Sequence, residues 1–69
     1  MDVSSRNQLK GTVKMIKKGP VNSEVTIALP GGLEVVSVIT TYSAERMNLK
    51  EGVEVYALMK ASEVMIGKD

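Results

Sequence analysis

Neither cysteine nor histidine occurs among the 69 residues. Their absence excludes a disulfide, a thiolate or imidazole metal site, a His-based triad and a thiol nucleophile. Phenylalanine and tryptophan are also missing, which leaves Tyr42 and Tyr56 as the only aromatic side chains. A groove that stacks successive bases on aromatic rings needs more than that, and a net charge of +1 gives no surface for a polyanion. No apolar run approaches the roughly 20 residues that span a bilayer. The opening "MDVSSRNQLK" lacks the apolar stretch of a signal peptide. These absences lead us to expect a soluble cytoplasmic protein. They also argue against an enzyme: Glu51 and Glu54 lie in a turn-like region and read as solvated charge. "KGPVNSE" is not a phosphate loop, because it lacks a second glycine followed by Lys-Ser/Thr.

A chain of this length is one domain, spanning residues 1–69. At this size a lone core is marginal, since ordering costs roughly 1.5 kcal/mol per residue, about what apolar burial returns. Small proteins compensate with disulfides, metals or oligomers. The first two are closed to this composition, so oligomerisation is the expected remedy.

Strand signals dominate what is present. In "QLKGTVKMI", Leu9, Gly11, Val13 and Met15 alternate with Lys10, Thr12 and Lys14. "KKGP" breaks this run. In the next segment Val21, Val25, Ile27 and Leu29 share one face, and "PGG" (Pro30–Gly32) reads as a hairpin turn with a glycine at positive φ. The third strand places Leu33, Val35 and Ile39 on one face but Val36 and Val38 on the other. The fourth places Val53, Val55, Ala57 and Met59 on one face and Tyr56 and Leu58 on the other. Apolar residues on both faces imply that both are covered, and a chain this short has no second layer of its own. Another subunit is the economical cover. Between these strands Ser43 is placed to cap one helical turn, with Glu45 near its start and Asn48 and Gly52 flanking its end. "ASEVMIG" reads as a short last strand. The expected fold is all-β: a small OB-like five-stranded β-barrel with one short helical turn, assembling as an oligomer. An SH3-like barrel is the alternative.

The remaining chemistry is that of small-anion binding. Arg6 and Lys60 are cationic donors, and Ser4, Ser5, Thr40, Ser43 and Ser62 are hydroxyl donors. A tetrahedral oxyanion calls for several convergent donors, positive charge and no nearby carboxylate. The competing classes are an OB-fold single-stranded nucleic-acid-binding module, which would bind in a salt-sensitive way, and a structural interaction subunit that takes no small ligand.

Four stretches, "SSRNQLKGTV", "KGPVNSEV", "TTYS" and "VYALMKASEVMI", together closely resemble the molbindins, the molybdenum-pterin-binding or Mop proteins. The telling signature is the Ser-x-Arg-Asn opening joined to the Lys-Ala-Ser close. The resemblance implies an OB-like barrel assembled as a homohexamer, a trimer of dimers. It implies molybdate or tungstate bound between subunits, for intracellular molybdenum storage and homeostasis. The same module occurs fused to molybdate-responsive regulators and transporter ATPases, and this chain resembles the free-standing form. Carried onto this sequence, the main site would use Ser4, Arg6, Thr40, Ser43, Lys60, Ala61 and Ser62, with Ala61 contributing only backbone and with the Ser-Arg-Asn opening of one copy facing Lys60 and Ser62 of a neighbouring copy. A second site would involve Gly19, Val21 and Asn22. Pro20, between them, has no N–H to donate. Nothing in so aromatic-poor a sequence suggests a slot for the pterin of the family name.

Overall fold

The computed structural model describes residues 1–69. Four strands, β1 (Asn7–Lys18), β2 (Asn22–Ala28), β3 (Glu34–Thr40) and β4 (Glu54–Met59), form one antiparallel sheet in the order β3-β2-β1-β4. A short helix, α1 (Thr41–Arg46), follows β3, and 3-10 turns occupy Pro30–Gly32 and Ala61–Glu63. No helix is long and apolar enough to cross a membrane.

β1 is the organising element. Residues Asn7–Thr12 pair with β4 and residues Thr12–Lys18 pair with β2, so that Thr12 alone is paired on both sides. The strand exchanges one neighbour for the other half-way along, and the sheet curls into a half-barrel. Two local features permit the bend. At Gly11 a Cβ would lie 2.6 Å from the Ala28 carbonyl oxygen and 2.7 Å from Ile27 Cγ2, so only glycine lets β2 cross this closely. A bulge then interrupts the register between Val13 and Met15. An extra residue in a strand sends the following side chains to the opposite faces. Met15, expected inside from the period-two pattern, is therefore exposed, and Ile16 packs on the core in its place.

The core is small. Val13, Val25, Ile27 and Ala57 are buried, and Ile16, Leu29, Val35, Ile39, Leu49, Val53, Val55 and Met59 pack around them. The two-faced strands read from the sequence are present. Val35 and Ile39 point in, whereas Val36 and Val38 are 58% and 66% exposed, and Tyr56 and Leu58 are exposed on β4. Leu33 and Val21 do not join the core as expected. Leu33 still belongs to the turn, immediately after two glycines at positive φ (84° and 80°), and Val21 precedes β2. The inward position near Val21 is filled by Ser23, 1% exposed. The β2–β3 hairpin forms as expected, closed by a Leu29 N–H to Leu33 carbonyl bond of 2.8 Å.

Two further expectations are corrected. The cap of α1 is Thr40, not Ser43: the Thr40 hydroxyl accepts from the Ser43 N–H at 3.0 Å, and Ser43 lies within the first turn. Glu45 consequently sits late in the helix, 3.8 Å from Lys18. The barrel also has four strands, not five. After Met59 the Glu63 N–H bonds the Lys60 carbonyl and the Val64 N–H bonds the Ala61 carbonyl, which winds the chain away from the ladder. Beyond that turn Val64, Met65 and Ile66 pair with nothing in the chain, and the last two are 92% and 95% exposed. The edges of β3 and β4 stay unpaired and the barrel remains open between them.

Because Gly11 leaves no room for a methyl group, Gly11→Ala should push β2 off β1 and destabilise the fold by about 1–3 kcal/mol. Urea unfolding checks this. A midpoint equal to that of the parent would show that the crossing is not tightly packed.

Candidate functional site

The two halves of the opening-and-close signature meet within one chain, not across two copies as expected. Asn7 pairs with Met59 at the first rung of the β1–β4 ladder, so the segment before β1 lies beside the segment after β4. Ser4, Ser5, Arg6, Leu58, Lys60, Ala61 and Ser62 line one cleft of about 670 Å³ that opens to solvent. No carboxylate lines it. Its two cations are unneutralised: the ion pairs of the chain are Lys10–Glu54, Lys14–Glu34 and Lys18–Glu45, and neither Arg6 nor Lys60 takes part. The side chains of Ser4, Arg6, Lys60 and Ser62 make no hydrogen bond within the chain.

The 3-10 turn at Ala61–Glu63 shapes one wall. Lys60 is its cap residue, and the first internal bond runs from the Glu63 N–H to the Lys60 carbonyl at 2.9 Å. The N–H groups of Ala61 and Ser62 precede that bond and have no partner inside the turn. The cleft therefore gathers a planar guanidinium, a compact ammonium, two free hydroxyls and a turn's leading N–H groups. Such a donor set suits an anion with several acceptor oxygens.

Thr40 and Ser43 are not part of this cleft in one chain. They stand at the start of α1, where the Thr40 hydroxyl donates to Ser43 Oγ at 2.8 Å. Thr40 pairs with Asn22 at the first rung of the β2–β3 ladder, which sets both beside the Gly19–Asn22 turn. That turn follows β1, whereas the cleft precedes it. At roughly 3.3 Å per residue, the strand's 12 residues run most of the molecule's 35 Å length. The sequence-derived site residues thus fall into two groups, one at each end of β1.

The second group is tightly tied together. The Thr41 hydroxyl donates to the Gly19 carbonyl at 2.7 Å and lies 2.7 Å from Ser23 Oγ, while the Thr41 N–H bonds the Val21 carbonyl at 2.8 Å. A Cβ on Gly19 would lie 2.4 Å from the Asn22 carbonyl oxygen, so this turn too depends on glycine. Neither Ser23 nor Thr41 stands out in the sequence as a site residue. A serine in the inward register of an otherwise valine and isoleucine strand was the available signal.

With this geometry in hand, the comparison with known proteins is direct. The family model described as "TOBE domain" matches residues 3–66. The chain belongs to the TOBE family, among its molybdenum-pterin-binding members. Molybdenum-pterin-binding protein 2 of Clostridium pasteurianum is 46% identical over 66 residues, covering 96% of this chain and 97% of that relative. A probable molybdenum-pterin-binding protein of Haemophilus influenzae is 43% identical over 67 residues, with 97% of both chains covered. Among solved structures, the molybdate-binding protein from Sporomusa ovata superposes with a TM-score of 0.91 at 40% identity, over 99% of this chain and 100% of that one. The cytoplasmic molybdate-binding protein ModG, with molybdate bound, superposes with a TM-score of 0.90 at 46% identity, over 94% of this chain and 46% of that one. This TOBE domain therefore shares both its sequence and its half-barrel with molybdate-binding proteins.

The partly buried link between Thr41 and Ser23 yields an expectation separable from ligand binding. Thr41→Val keeps the shape but strands the Ser23 hydroxyl and the Gly19 carbonyl, and should cost about 1–3 kcal/mol. Thermal unfolding of the variant beside the parent measures it; unchanged stability would mean that water replaces both partners.

Proposed function

We propose that this TOBE domain, read as a single domain over residues 1–69, binds molybdate, and tungstate with it, at sites shared between copies of the chain, without catalysing a reaction. The observation that carries the reading is the carboxylate-free cleft in which Ser4, Arg6, Lys60, Ala61 and Ser62 converge with their donors uncommitted. Molybdate is a tetrahedral dianion with four acceptor oxygens, and each charge-assisted bond to it is stronger than a neutral one. Tungstate has nearly the same shape and charge, so the two should bind alike. The relatives' names and the solved molybdate complex support the same ligand.

Sharing between copies follows from what one chain leaves unfinished. A cleft of about 670 Å³ is far larger than a single oxyanion and stays open to solvent. Thr40 and Ser43 reach such a site only from a second copy, because their own chain holds them at the far end of β1. Exposed Val36, Val38, Tyr56 and Leu58, the open β3–β4 seam and the apolar Val64–Ile66 segment supply surface for association. A homohexamer built as a trimer of dimers fits this reading. The Gly19, Val21 and Asn22 turn is the place for a second class of anion, held through backbone N–H groups at Val21 and Asn22. The biological role we assign is storage and buffering of molybdenum inside the cell, in keeping with the cytoplasmic relative.

Calorimetric titration with molybdate at fixed oligomeric state tests the ligand. Arg6→Ala and Lys60→Ala each remove a charge-assisted bond worth about 1.5–3 kcal/mol, and should weaken binding roughly tenfold to a hundredfold. Parental affinity in both variants would make these residues ordinary surface cations. Sedimentation equilibrium at micromolar concentration tests the assembly: a hexamer is expected, and a well-folded monomer would overturn it.

A further inference from the structure

Ser5 lines the cleft but differs from its neighbours in being committed to the fold. Its hydroxyl lies 2.9 Å from the Met59 carbonyl, 3.2 Å from the Asn7 carbonyl and 3.3 Å from the Asn7 N–H. A hydroxyl has one hydrogen to give. The short contact to Met59 takes it, and the Asn7 N–H donates to the oxygen. Gln8 backs the same point, its side-chain amide donating to the Ser5 carbonyl at 2.7 Å. Ser5 is half-buried, whereas Ser4 and Ser62 are exposed.

The covalent neighbours of these two residues give the contact its consequence. Ser5 lies between Ser4 and Arg6, and Met59 immediately precedes Lys60. One hydrogen bond across 54 residues therefore joins the backbone that carries the guanidinium to the backbone that carries the ammonium. The segment before β1 makes no other side-chain hydrogen bond to β4, and the ladder itself begins only at Asn7.

We propose that Ser5 is a positioning residue for the oxyanion site: it donates nothing to the ligand, and clasps the segment before β1 to the end of β4 so that Arg6 and Lys60 are preset at one cleft. This rests on the molybdate reading given above. A preset pair of cations avoids the ordering cost that a loose arm would incur on binding. Without the clasp, Ser4 and Arg6 would sample positions away from Lys60 and the same donors would bind more weakly.

The test compares the assembled parent protein with Ser5→Ala, Ser5→Thr and Lys60→Ala. Ser5→Ala should lower molybdate affinity about three- to tenfold, speed hydrogen exchange of the Asn7 amide, and leave the thermal midpoint nearly unchanged. Ser5→Thr keeps the hydroxyl and should restore most of both losses, which a merely structural side chain would not do. Parental affinity in Ser5→Ala, with binding weakened in Lys60→Ala, overturns the clasp and leaves the molybdate site standing. An affinity loss that Ser5→Thr does not recover also overturns it. No molybdate binding by the parent protein overturns the site and the clasp together.

Discussion

Thr12 has a ladder partner on each of its two sides, and the rest of the molecule follows from that constraint. A strand that serves β4 with its first half and β2 with its second must bend. Bending it needs a glycine where β2 crosses and an extra residue just beyond. Once bent, its two ends are assigned. The first end lies against the end of β4, which brings together segments 54 residues apart. The other lies against the start of β2, where α1 and the Gly19–Asn22 turn lock onto each other through Thr41. Neither group of anion-binding candidates has its own scaffold; both are consequences of the path of β1.

The energetics of so small a fold explain where its polar groups are spent. Four buried apolar side chains in one cluster make a thin core for 69 residues. The three ion pairs lie on the surface, where such pairs contribute little. The partly buried hydroxyl network at Ser23 and Thr41, by contrast, is satisfied, and no buried side-chain polar atom lacks a partner. Polar groups thus follow two patterns. Those that hold the turns together are at least partly buried and paired. At the cleft Ser4, Arg6, Lys60 and Ser62 are exposed and their side chains have no partner, Ser5 alone being tied to the backbone. Under the proposed reading, cations that cost little to leave solvated in one chain are the groups that receive the dianion.

Much of this was legible in the sequence, in proportion to how local the determining interactions are. The Pro30–Gly32 hairpin was readable because its glycines and proline carry the turn geometry themselves. The inward faces of β3 and β4 were readable from alternation, as was the exposed apolar set at Val36, Val38, Tyr56 and Leu58. The bulge after Val13 was not, because nothing in Val-Lys-Met marks an extra residue; the partner strand imposes it. Three hydroxyl residues, Thr40, Thr41 and Ser43, compete for one helix cap, and pairing of Thr40 with Asn22 decides among them. "ASEVMIG" has strand-forming residues, yet strand formation requires a neighbour, and one chain offers none on that path. The sequence set Ser4 and Arg6 against Lys60 and Ser62 of a neighbouring copy; the β1–β4 register brings them together within one chain instead.

That distribution also bears on how binding and assembly are linked under the proposed reading. If Thr40 and Ser43 complete a cleft that another copy begins, the anion binds the associated state and not the separated one. Any ligand with that preference stabilises the associated state by an amount that grows with its concentration. The cleft's free cations work in the same direction. Brought against a second copy without an anion, Arg6 and Lys60 would be partly desolvated with no counter-charge, which opposes association. With a dianion between the copies, the same charges are neutralised and their donors filled. Under that reading, charge that resists assembly in the absence of ligand favours it in its presence, and the thin core of a single chain gives the assembly a second reason to form.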